Sequence, residues 1–161
     1  MVVLGIDPGT ALTGYGLVRQ DDELELVACG AIRTSADIDL PERLLAIHDQ
    51  LTDLIRLHQP AAMAVEELFF SKNVRTAMAV GHARGVILLT AAQAHLPIYH
   101  YKPSEVKQAV AGYGAAGKAQ IQEMVRLLLG LEAAPEPDDV ADAVAIAICH
   151  LHSARLRDWI D

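Results

Sequence analysis

The chain of 161 residues has little sulfur chemistry, few rings and few lysines: two cysteines, two phenylalanines, one tryptophan and 4% aromatics in all. Cys29 and Cys149 lie in apolar contexts without a CxxC spacing, so they read as reduced core residues. No apolar run suffices for a bilayer span, because the longest, Ala77 to Ala94, is interrupted by His82 and Arg84. The N-terminus MVVLGIDPG has no basic segment and meets a turn after a few apolar residues, unlike a signal peptide. These absences predict a cytoplasmic protein with no membrane partner. A single domain covering 1–161 is expected, too short for most two-lobed enzymes. The 52% hydrophobic and 21% charged content is enough to build a core and unlike a disordered chain.

Positive charge is also scarce. Thirteen Lys and Arg stand against 21 Asp and Glu, a net charge of -8, with a pI near 5.2. Alone, that balance argues against a nucleic-acid partner. The average hides a partition. Residues 68–131 hold Lys72, Arg75, Arg84, Lys102, Lys107, Lys118 and Arg126 against Glu105 and Glu123 only, a surplus of +5 that leaves -13 for the remainder. All four lysines lie in that block. Such asymmetry suits polyanion binding, and it equally suits a solvated helical surface.

The first third predicts an antiparallel three-stranded meander: Val2 to Asp7, Thr13 to Arg19 after the Pro8-Gly9 turn, and Glu23 to Thr34. Apolar residues at helical spacing from Pro41 to His58 predict a helix that Gln59-Pro60 stops. Ala61 to Val65 reads as a buried strand. Further elements follow as a helix from Val74 to Ala94, a strand from Pro97 to Tyr101, a helix from Ser104 to Val110, a loop over 112–117, and helices from Gln120 to Leu129 and Val140 to Leu156. This order predicts an α/β fold with a mixed central sheet and helices on both faces.

Three places could carry chemistry. Asp7 ends an apolar strand, where a carboxylate must be paired, hydrogen-bonded or metal-bound, although Asp before Pro-Gly is also ordinary turn chemistry. Glu66 and Glu67 end the second buried strand, at the edge where ligands bind open α/β sheets. Alternation allows only one of them to share the face of Asp7, and the pattern does not choose. Asp138, Asp139 and Asp142 open the last helix. The helix dipole accounts for acidic residues there, with Asp138 able to cap, but Asp142 is surrounded by Ala141, Ala143, Ala145, Ile146 and Ala147. If the three places converge, their hard oxygens suit two Mg²⁺ or Mn²⁺ ions and phosphodiester cleavage.

Two other motifs are set aside. Gly112 to Lys118 fits G-x-x-x-x-G-K, but Ala119 follows and a helix precedes it, so it is not a P-loop. GIDPGT at 5–10 resembles the first phosphate loop of the ATPases related to actin, which need a second lobe. Phe69 and Phe70 border the basic block beside Lys72, Asn73 and Arg75, where an aromatic could stack on an unpaired base or pack in the core. His82, His95 and His100 have no metal-ligand spacing and receive no catalytic role.

Five stretches together resemble the RuvC family of Holliday junction resolvases over nearly the full length: GIDPGTALTGYG at 5–16, AVEELFFSKN at 64–73, GHARG at 81–85, VKQAVAGYGAAGKAQIQEMV at 106–125 and DDVADAVAIAICH at 138–150. The resemblance implies an RNase H-like fold, a symmetric homodimer, and Mg²⁺- or Mn²⁺-dependent paired nicking of two strands of like polarity at a four-way DNA junction. RuvA and RuvB, the branch-migration proteins, are implied as partners. By position, the family's carboxylates fall on Asp7, Glu66, Asp139 and Asp142, which selects Glu66 over Glu67; the third place varies in the family. Its catalytic-site lysines match Lys107 and Lys118, and its junction-centre aromatic matches Phe69. Phe70, Lys72, Asn73, Arg75 and Arg84 are expected beside them on DNA. The alternatives are a catalytically silent junction-binding protein and a YqgF-type nuclease acting on RNA, which lacks the FFSKN and VKQAVAG runs.

Overall fold

In the computed structural model the described residues are 1–67 and 73–160, without the side chain at 158. The strands are β1 (Val2–Asp7), β2 (Leu12–Gln20), β3 (Leu24–Arg33), β4 (Ala62–Glu66) and β5 (Ile98–Tyr101). The helices are α1 (Leu40–His58), α2 (Val74–Gln93), α3 (Pro103–Ala111), α4 (Lys118–Leu128) and α5 (Asp138–Asp158). Phe69, Phe70 and Lys72 lie outside the described residues.

The strands form one sheet in the order β3-β2-β1-β4-β5. Its first half is the expected meander, with β2 antiparallel to both β1 and β3; β4 joins β1 in parallel, and β5 joins β4 in parallel. Both faces of the parallel half are covered, and side-chain alternation sorts them. Leu4, Ile6, Met63 and Val65 meet Ile47, Leu51, Ala83 and Ile87 of α1 and α2. On the opposite face Val3, Ala64 and Tyr101 meet Val106, Ile121, Val144 and Ile148 of α3, α4 and α5. Asp7, two residues beyond Gly5 and four beyond Val3, therefore belongs to the α5 face.

Two helix starts differ by two residues from the sequence reading. Helix α4 begins at Lys118 rather than Gln120, with Gly117 at its N-cap. Apolar periodicity registers only from Ile121, one turn inside the helix, so the charged first turn was invisible to it. In α5 the N-cap is Pro137, and Asp138 and Asp139 occupy the first turn. Asp138 is thus not a cap; its carboxylate accepts from Gln122 Nε2 at 2.9 Å and lies 3.1 Å from Lys118 Nζ. Among the described residues no helix is long and apolar enough to cross a membrane.

At Gly5 and Gly14, helix α5 is pressed backbone to backbone onto β1 and β2. A Cβ on Gly5 would overlap the Ala143 carbonyl oxygen and come within 2.8 Å of the Ala147 backbone nitrogen. A Cβ on Gly14 would overlap the Asp139 carbonyl. Gly14 is the register partner of Asp7, so this close helix–sheet approach extends to the acidic cluster. Ala141, Ala143, Ala145 and Ala147 are all buried and keep the helix side equally thin. Because the obstructing atoms are backbone, relief requires moving α5. Gly5→Ala is expected to cost at least the roughly 1–3 kcal/mol of an overpacked core, a Tm drop of about 2–12 °C for a chain of this size. Thermal melts of wild type and variant check this.

Candidate active site

Asp7 stands at the end of β1, and Asp139 and Asp142 point from the first turns of α5. One carboxylate oxygen from each lies within 4.8 Å of the others. Sequence spacing explains the helical pair, since residues three apart share a face. The glycine-lined contact described above explains why that face reaches Asp7.

Glu66 and Glu67 are separated by the strand. The register Ile6↔Val65, continued by one residue, sets Glu66 beside Asp7, and Ala64 of the same parity is in the α5-side core. The structure therefore puts Glu66 on Asp7's face and Glu67 on the other. The Glu66 oxygens are not part of the close trio. Instead Glu66 lines a cleft of about 370 Å³ together with Lys107, Lys118, Asp142 and Gly117.

The electrostatics are those of carboxylates held too close in too little water. Burial, then Asp142 and Asp139, push the Asp7 carboxyl from 3.8 up to about 8. Asp142 is raised mainly by burial, with Lys118 opposing. Glu66 is raised by burial and Asp142, with Lys107 opposing. Lys118 Nζ lies 3.1 Å from Asp138 and 3.9 Å from Asp142, and these contacts raise its own pKa. The two ammonium groups of Lys107 and Lys118 do not balance four carboxylates. A half-buried set of hard oxygens with a deficit of positive charge fits a divalent cation such as Mg²⁺ or Mn²⁺.

Lys107 is half-buried in the cleft wall on α3, and Lys118 is exposed at the mouth on the first residue of α4. Asn73 caps α2, its side-chain oxygen accepting from the backbone N–H groups of Arg75 and Thr76 at 3.1 and 3.5 Å. Arg75 is exposed in the first turn. Arg84 is turned inward. Its guanidinium donates to the Glu66 carbonyl at 2.5 Å and to His100 Nδ1 at 2.7 Å.

Sequence reasoning missed two histidine partnerships, because it looked for metal-ligand spacing. His100 is one of the two acceptors for Arg84. His150 is 3% exposed, stacks beside Tyr99, and shares a 2.6 Å hydrogen bond between Nδ1 and the Tyr101 hydroxyl. That bond ties β5, the neighbour of Glu66, to α5. No pattern in the sequence announces either pair, since each joins residues at least 16 apart that meet only through the sheet.

The family model of crossover junction endodeoxyribonuclease RuvC matches residues 3–150. A crossover junction endodeoxyribonuclease RuvC from Roseiflexus sp. is 60% identical over 152 residues, 94% of this chain and 90% of that protein. Among solved structures, Thermus thermophilus RuvC in complex with a Holliday junction substrate is 41% identical, with a TM-score of 0.93 over 97% of this chain and 96% of that one. Yeast mitochondrial Holliday junction resolvase Ydc2, 17% identical with a TM-score of 0.68 over 98% of this chain and 82% of its own, shares the fold. The five-stranded mixed sheet is that of an RNase H-like fold, and with a family match across nearly the whole sequence the chain belongs to the RuvC family of crossover junction endodeoxyribonucleases.

Proposed function

We propose that this protein resolves four-way DNA junctions in recombination and repair, acting in the cytoplasm as a homodimer that nicks two strands of like polarity, with RuvA and RuvB as partners. The observation that carries the reading is the convergence of Asp7, Asp139 and Asp142 oxygens within 4.8 Å at a cleft bearing Glu66, Lys107 and Lys118. A binder that never cuts gains nothing from massed carboxylates beside phosphates.

Asp7, Glu66, Asp139 and Asp142 would hold two Mg²⁺ or Mn²⁺ ions. Bound there, such cations supply Lewis acidity toward a phosphodiester oxygen and make water a better nucleophile at neutral pH. Lys118 partly neutralises Asp142 and faces the mouth, where a scissile phosphate would approach, so it both tempers the carboxylates and offsets charge on the phosphate. Lys107 does the same beside Glu66. Arg75 and Lys72 would track the backbone, Asn73 would hold the start of α2 that presents Arg75, and Phe69, with Phe70 next to it in sequence, would stack at the opened junction centre.

A synthetic mobile junction incubated with Mg²⁺ or Mn²⁺ should yield nicked duplexes, and Asp7→Asn should lower the cutting rate by about a hundredfold or more. Intact junctions from wild type, or undiminished cutting by the variant, would sink the assignment. Phe69→Ala should impair cutting while leaving the Tm of the protein unchanged; an equal loss of stability would mark Phe69 as core instead.

The raised Asp7 carboxyl fixes a sign. Between its ordinary 3.8 and about 8 the folded state holds a proton that the unfolded chain releases, so the stability of the cation-free protein falls as pH rises through that window. Raised Asp142 and Glu66 act in the same direction. In EDTA, Tm should therefore be lower at about pH 8 than at about pH 6. Asp7→Asn should flatten that difference and melt roughly 4 °C or more above wild type at the higher pH, taking about 2–4 °C per kcal/mol. A wild-type Tm rising with pH over this range would contradict the stored repulsion.

A further inference from the structure

Arg84 stands in the basic block and was expected on DNA, yet its guanidinium is committed within the protein. The reason lies in the hydrogen-bond ladder at the end of β4. Met1 and Gln20 exchange N–H···O bonds both ways at 3.0 Å, so the odd-numbered residues of β1 bond to β2 and the even-numbered ones face β4. On β4, Met63 donates to Pro97 and Glu67 donates to Tyr101, at 2.8 and 2.7 Å, so the odd-numbered residues face β5 and the carbonyls of 62, 64 and 66 face β1. Past Ile6, the next donor on that edge of β1 would be the N–H of residue 8. Residue 8 is proline and has none. The ladder thus leaves the Glu66 carbonyl without a strand donor at the residue whose carboxylate enters the cleft. Arg84 reaches this carbonyl from α2, on the opposite face of the sheet, while its other terminal nitrogen is anchored on His100 of β5. The fork spans two neighbouring strands at their carboxyl ends.

We propose that Arg84 is a positioning residue for Glu66: it supplies the hydrogen bond that Pro8 cannot, and by bridging β4 to β5 through His100 it fixes the direction of the Glu66 carboxylate toward the acidic cluster. Removing it frees the end of β4 and leaves a half-buried carbonyl without its donor. The consequence falls on cation binding rather than on DNA affinity. This inference rests on the cleavage function proposed above.

The experiment uses the full-length protein, a synthetic four-way junction and Mn²⁺ as the cation. For Arg84→Met, the concentration of Mn²⁺ giving half-maximal cutting should rise about tenfold or more, the size seen when residues that orient ligands are removed. The rise in Tm on adding Mn²⁺ should shrink in parallel. Junction affinity in EDTA should stay within about twofold of wild type, with an unchanged salt slope. The decisive arm is Pro8→Ala/Arg84→Met, which returns an N–H to the ladder. It should recover part of the Mn²⁺ affinity. A weakened junction affinity with a salt slope reduced by about 0.9 would make Arg84 a phosphate contact and overturn the proposal, as would a double variant no better than Arg84→Met. If Arg84→Met does not fold, His100→Ala at an exposed strand position carries the test: the Mn²⁺ requirement should rise by a smaller factor, and an unchanged value overturns the positioning role. Wild-type protein that fails to cut would instead remove the parent reading, whatever the variants bind.

Discussion

Backbone-to-backbone approach between α5 and the strands β1 and β2 is the constraint on which the rest depends. Glycine at 5 and 14 and alanine at 143 and 147 let a helix lie where side chains would normally hold it away. The first turn of α5 then sits against the exit of β1, and Asp139 and Asp142 come within 4.8 Å of Asp7. Without that closeness the same residues would be three solvated acids on separate elements. The small-residue helix face has a second effect. Its alanines contribute little side-chain area, so more of the apolar burial comes from Val144, Ile146, Ile148 and Leu151 of the same helix and from the separate α1–α2 layer.

The approach brings an electrostatic cost with it. Asp7, held near 8 by burial and by its neighbours, is a group the fold would be more stable without. Proteins keep such groups where function needs them and compensate elsewhere. Compensation here has two forms. Lys118 and Lys107 oppose the charge of Asp142 and Glu66 without entering the trio. The strand ends themselves are tied down from the opposite face by α2: Thr10 Oγ1 donates to the Ala79 carbonyl at 2.5 Å, and Arg84 to that of Glu66. One helix therefore restrains the loop that follows Asp7 and the residue that carries Glu66.

Much of this was legible in the sequence, for identifiable reasons. The five strands and five helices fall within about two residues of the positions that period and turn chemistry gave them, because each apolar stretch is bounded by Pro, Gly or polar residues. The helical pair Asp139 and Asp142 was readable because its residues are close in the chain. The choice between Glu66 and Glu67 was not, since it depends on the register of β4 against β1, a long-range fact that residue chemistry leaves open and that only the family resemblance had addressed. The partners of Arg84 were not legible for a similar reason: composition records that a cation exists, while its direction depends on which carbonyl the ladder leaves bare. Proline at position 8 was visible as a turn former, but the orphan it creates lies 58 positions away.

The charge pattern shows the same limit from another side. The +5 surplus over residues 68–131 suggests a uniform phosphate-tracking surface. In the structure its members divide by chemistry. Two of its arginines are engaged within the protein while Arg75 stays exposed: Arg84 holds a carbonyl and an imidazole, and Arg126 pairs with Glu123 at 2.6 Å and reaches the Leu131 carbonyl. Their planar forks suit two acceptors in fixed geometry. Lys107 and Lys118, whose ammonium groups act as point charges on flexible stems, line the cleft beside Glu66 and Asp142. A lysine can turn from a carboxylate to an arriving phosphate at little cost, whereas a bridging arginine must first surrender both of its partners. Net positive charge in the block therefore overstates what is free to meet DNA, and the residues suited to that task are those least constrained by the fold.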